Sequence, residues 1–168
     1  MNEKSEQLIQ STKKLTLPLA IIYTISSLFL IISSMGLMLI QSIDYSKVDG
    51  FTQTQADLLK STSSGLAAYT MYGITLASIV LTVFLYIYNV RLKKGIVVGK
   101  VPYLGVGALQ LYSIVKGIMM IIGGLRIGEI AITSNIVSLG INLAILILAI
   151  LALKNLFKLD TEKSEIKA

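Results

Sequence analysis

The chain has no cysteine, no histidine and no tryptophan, and only two prolines in 168 residues. Without cysteine there is no disulfide framework, no thiol nucleophile and no thiolate metal site. Without histidine the commonest metal ligand and general base is missing, and with it histidine ligation of haem. Acidic residues number nine, and none falls inside the four apolar stretches that dominate the chain. That argues against proton-coupled transport through a membrane carboxylate. No paired carboxylates, glycine-rich phosphate loop or metal-ligand cluster appears in the sequence. The expectation is therefore a protein that is not an enzyme, with no cofactor and no metal.

What the chain does contain is apolar length. Hydrophobic residues make up 54% of it, with a mean hydropathy of +0.78. The four stretches run from Leu15 to Ile40, Leu66 to Val90, Pro102 to Ile122 and Ile130 to Leu153. A helix needs about 20 apolar residues to cross a bilayer core, and each stretch has that length. A water-soluble core could not absorb them without leaving a large apolar surface. The first stretch is too long for the apolar part of a secretory signal, and no small-residue cleavage site follows it, so it reads as a retained span. The predicted fold class is all-α: a polytopic integral membrane protein, one four-helix transmembrane bundle over 15–153. Tails at 1–14 and 154–168 and an outer loop at 41–65 complete it.

The net charge of +6 invites a nucleic-acid reading, but the positions of the charges answer it. Eleven of the fifteen basic residues would share one side of the membrane: Lys4, Lys13 and Lys14, then Arg91, Lys93, Lys94 and Lys100, then Lys154, Lys158, Lys163 and Lys167. Lys47, Lys60 and Arg126 fall on the other side, and Lys116 lies inside the third stretch. Lys and Arg are enriched in cytoplasmic loops, so both termini are expected in the cytoplasm of a cell-membrane protein. Lysines of the 91–101 loop would attract anionic lipid headgroups. Leu156, Phe157 and Leu159 among lysines suggest a tail lying along the interface. Thr54 to Lys60 suggests a short surface helix in the outer loop. Pro18 and Pro102 suggest first-turn positions of the first and third spans. Tyr86, Tyr88 and Tyr103 suggest an aromatic belt at the inner boundary, as do Tyr45, Phe51 and Tyr69 at the outer one.

Apolar burial does not draw helices together in lipid, so small residues are expected at the contacts. Ser27 and Ser34 in the first span, Gly73 and Ala77 in the second, and Gly140 and Ala144 in the fourth have suitable spacing. The run Gly73-Ile74-Thr75-Leu76-Ala77 nearly repeats as Gly140-Ile141-Asn142-Leu143-Ala144.

Lys116 is the one ionisable residue well inside a span. Such a residue is a site hypothesis by default. With Tyr112 and Gln110 on its own helix, and Asn135, Ser138 and Asn142 on the fourth, it could line a polar cavity. It could instead snorkel to the headgroups, or pair with Asp44 or Glu129. The functional expectation is an accessory or interaction component of a membrane complex, or protection against a membrane-active peptide. Its partners would be the lipid bilayer and other membrane proteins or itself, with no nucleic acid. The alternative is a small oligomeric transporter or channel for an anion or amphiphile, using the Lys116 face.

Overall fold

The computed structural model describes residues 3–44, 65–124 and 129–165. Four helices account for nearly all of them: α1 (Glu3–Ser42), α2 (Leu66–Lys93), α3 (Val101–Gly124) and α4 (Glu129–Glu165). Among the described residues three helical segments, Glu3–Leu39, Ala68–Lys93 and Ile136–Glu162, are long and apolar enough to cross a membrane. The protein is therefore all-helical and membrane-embedded in character. The outer-loop helix expected at Thr54 to Lys60 lies outside the described residues.

The helices outrun the apolar stretches at the two tails. At 1.5 Å per residue, α1 is about 60 Å long and α4 about 55 Å, against a hydrocarbon core of about 30 Å. Pro18 is not in a first turn as expected: α1 begins at Glu3 and carries Pro18 in its interior. A proline there removes one backbone hydrogen bond and costs about 3 kcal/mol. The helix persists because residues on both sides of Pro18 are docked. Ser5, Ile9, Thr12, Thr16, Leu19 and Tyr23 are all buried, at the alternating 4-3 spacing of one helical seam. Pro102 does sit in the first turn of α3.

The chain divides into two compact units, residues 1–23 with 81–168, and residues 24–80. The first holds the hydrophobic core cluster, drawn from all four helices. On α4 the seam is Ile145, Ala149, Ala152, Leu156 and Leu159, again at 4-3 spacing. Its last two leucines correct the expectation of an interfacial tail: they are spent on the core, and α4 runs unbroken to Glu165. The N-terminal tail is likewise helical from Glu3 onward.

The α2–α3 connection is fixed by its backbone. Gly95 takes φ +71, its amide donates to the Leu92 carbonyl, and the Ile96 amide reaches back to the Arg91 carbonyl. This Schellman arrangement needs a left-handed residue, which glycine supplies without a Cβ penalty. Val98, just beyond, is buried in the core cluster.

The second unit packs through hydroxyls. Ser27 and Ser34 of α1 are buried, and so are Thr75 and Ser78 of α2. The Thr75 hydroxyl is 2.8 Å from the Met71 carbonyl, so its proton goes there and Ser34, 2.8 Å from Thr75 Oγ1, is the donor of that pair.

The glycine contacts differ from the expectation. A Cβ added at Gly73 or Gly140 would meet nothing within 4 Å. Ala144 is exposed and Ala77 half-buried. The close approaches are elsewhere: a Cβ on Gly105 would lie 2.9 Å from Leu81 Cδ2, and one on Gly117 would lie 3.4 Å from Leu139 Cγ. The small-xxx-small spacing is satisfied on several helix faces at once, and only packing selects the face that is used.

Gly105→Leu is expected to destabilise the detergent-solubilised protein by about 1–3 kcal/mol, the usual cost of overpacking. Gly140→Leu should leave the melting temperature unchanged. Thermal melts of the two variants side by side check both, and equal shifts would refute the contact assignment.

Candidate functional site

The polar residues around Lys116 are divided between surface and core. Lys116 and Tyr112 are exposed on α3, and Ser138 is exposed on α4. Asn142 is half-buried and donates a long hydrogen bond of 3.5 Å from Nδ2 to Ser138 Oγ. Gln110, by contrast, is buried. Helical geometry separates them: six residues along a helix amount to about 120° of rotation, so Gln110 and Lys116 cannot share a face. Tyr112 and Lys116, four apart, do share one. Leu139 fills the space against Gly117, so α3 meets α4 in van der Waals contact beside Lys116. The side chains of Asn135 and Glu129 lie outside the described residues. Among the described residues no ion pair reaches Lys116.

A second polar cluster, at the opposite end of α3, was not foreseen. Thr12 donates to the Leu8 carbonyl and Thr16 to the Thr12 carbonyl, each at 2.8 Å. Since the Thr16 proton is committed, the Tyr103 hydroxyl is the donor in the 2.7 Å contact with Thr16 Oγ1. Tyr103 is thus a fully buried core residue and not a belt anchor. Tyr88 packs beside it, ring centroids 6.2 Å apart, and Phe84 meets Tyr88 edge-on. Asn89 and Gln110 are 4% and 5% exposed, and their amide oxygens have no hydrogen-bond partner among the described residues. The 4-3 spacing of Ser5, Ile9, Thr12, Thr16 and Leu19 was the available signal, masked by reading the segment before Leu15 as a tail.

Beyond the apolar stretch of α4, its charged end is held on both sides. Glu162 accepts from Lys4 Nζ at 2.7 Å and from Ser5 Oγ at 3.1 Å. Asn155 donates to Ser11 Oγ at 3.1 Å. Lys100, at the start of α3, pairs with Asp160 and lies 3.8 Å over the Phe157 ring. Hydrogen bonding from Lys4, reinforced by Ser5, holds the Glu162 carboxyl below its ordinary value of 4.5.

The chain matches no protein-family model, no curated protein and no solved structure. Its function has to be read from its own residues.

A carboxyl with a lowered folded value stabilises above the unfolded value and ceases to do so as pH falls through the folded one. Glu162→Gln is therefore expected to lower the melting temperature at neutral pH. The gap to wild type should begin to narrow below the ordinary value of 4.5 and close as pH falls through the lowered folded value. A pH series of paired melts checks this, and a gap that persists in acid would show the effect to be packing.

Proposed function

We propose that this is a non-catalytic, multi-pass cell-membrane protein that works by lateral contact. It serves as an accessory or interaction component of a membrane complex, or protects against a membrane-active peptide. The observation that carries this reading is the outward placement of Lys116, Tyr112 and Ser138, beside an α3–α4 contact filled by Leu139. Polar groups on a lipid-facing surface suit a neighbouring helix or amphiphilic peptide, since a hydrogen bond made in lipid has little water to compete with it. Gly73, Gly140 and Ala144, also exposed, offer faces that another helix can approach closely.

In this reading α3 is the fourth span. Its 24 residues reach about 36 Å, enough to cross. The charge asymmetry then puts both termini and the 94–100 loop in the cytoplasm. Cysteines introduced singly for Gln10, Lys94 and Thr54 test the topology, because the chain has none of its own. In intact cells an impermeant thiol reagent is expected to modify only the Thr54 site, and modification at Lys94 would reverse the orientation.

Lateral contact is tested by a photo-crosslinking amino acid at Tyr112 or Val115, both exposed, with buried Val106 as the control. Discrete protein or peptide adducts from the first two positions and none from the third are expected. Lipid adducts alone would remove the proposal. Should reconstituted vesicles show anion flux that Lys116→Met abolishes, the transporter alternative replaces it.

A further inference from the structure

Four basic residues at the core-bearing end of the helices fall near one height. The Asn155–Ser11 hydrogen bond levels residue 155 with residue 11, and the Tyr103–Thr16 and Tyr88–Tyr103 contacts level 88 and 103 with 16. Arg91 lies three residues beyond Tyr88, while Lys14 lies two before Thr16, and Lys154 adjoins Asn155. At 1.5 Å per residue these three cations on three helices, with Lys13 beside Lys14, sit within about one helical turn of each other. Lys14, Arg91 and Lys154 are exposed.

The surface changes character at this height. On one side the exposed residues are apolar, including Leu17 and Ile21, Phe84 and Ile87, and Ile147 and Ile150. On the other they are mostly polar, Glu6, Gln7, Gln10 and Ser11 of α1 and Lys158, Asp160 and Thr161 of α4, with Phe157 and Ile96 as exposed apolar exceptions. Here the exposed surface passes from lipid-compatible to water-compatible. The segments beyond have little apolar face left to lay on the membrane, because Ile9, Leu156 and Leu159 are buried in the core cluster and the exposed Phe157 ring is capped by Lys100.

We propose that Lys13, Lys14, Arg91 and Lys154 form a collar that binds the phosphates of anionic phospholipids at the membrane surface and sets how deep the helices sit. The occupant is a lipid headgroup layer, on charge complementarity and on the apolar surface that adjoins the collar. Residues 3–12 and 155–165 then stand about 15 Å into the aqueous phase as a helical pair. This rests on the membrane-embedded reading of the chain.

The test uses the full chain in detergent and in vesicles. Native mass spectrometry compares binding of phosphatidylglycerol and phosphatidylcholine to wild type, to Lys14→Gln/Arg91→Gln/Lys154→Gln, and to the equal-charge control Lys158→Gln/Lys163→Gln/Lys167→Gln. The collar variant is expected to lose about two orders of magnitude in its preference for the anionic lipid, at about fivefold per cation. The control should keep most of that preference, and Lys14→Arg/Lys154→Arg should retain it fully, which separates charge loss from misfolding. Inorganic phosphate at matched concentration should not displace the lipid, and displacement would identify a free-phosphate site instead. Equal loss in both triple variants would overturn the collar. A second readout is depth: cysteines at Gln10 and Thr161 should react with a water-soluble thiol reagent in vesicles while one at Ile150 is shielded. Shielding at Gln10 would also overturn it. If high-pH carbonate instead extracts the wild-type protein from membranes, the embedded reading itself has failed, which the lipid arm alone would not reveal.

Discussion

Helices in a bilayer gain nothing by hiding apolar surface from one another, because the lipid is as apolar as they are. Close contacts inside the membrane come instead from van der Waals packing where backbones approach and from polar groups that find each other. Helix α1 follows that constraint within its apolar stretch, where Thr16, Ser27 and Ser34 are buried. These side chains are short enough to let a neighbour approach, and each carries one proton. Thr12 and Thr16 satisfy that proton on their own helix one turn back, which leaves the Thr16 oxygen free to accept from Tyr103. Helix-to-helix specificity thus comes from acceptors left over after local bonding.

Past the apolar stretches the usual rule returns, and the composition of the contacts changes with it. Ile9, Leu156 and Leu159 are buried where water makes burial favourable. Charged pairs hold the periphery, with Lys4 and Ser5 on Glu162 and Lys100 on Asp160. A proline in the interior of α1 is tolerated because the same helix is anchored by lipid-type contacts on one side of it and by water-type contacts on the other. The α2–α3 hairpin contributes to both, its glycine turn placing Val98 in the core and Lys100 against the end of α4.

The buried amide oxygens of Asn89 and Gln110 and the outward Lys116 represent opposite solutions for polar side chains in apolar surroundings. The amides are neutral, so burial costs them only hydrogen bonds. A lysine carries a charge whose desolvation is far more costly, and Lys116 is exposed on α3. The same helix therefore turns its glutamine inward and its lysine outward, and the polar groups of α3 do not form one site.

Helical class and the presence of several membrane-length helices were legible from the sequence because they depend on composition along the chain: about 20 apolar residues suffice for a span wherever they pack. The first-turn position of Pro102 was legible too, since proline acts on its own backbone. The tails were not, because a seam whose members are Ser5, Thr12 and Thr16 lacks the hydrophobic contrast that marks an amphipathic helix. Nor could the sequence choose among glycines: Gly73, Gly105, Gly117 and Gly140 all permit close approach, and only the tertiary structure shows Leu81 and Leu139 seated against two of them. Local residue chemistry fixes what a helix is and which medium it tolerates. Which of its faces meets a neighbour depends on rotation about its axis, a variable that no single helix determines alone.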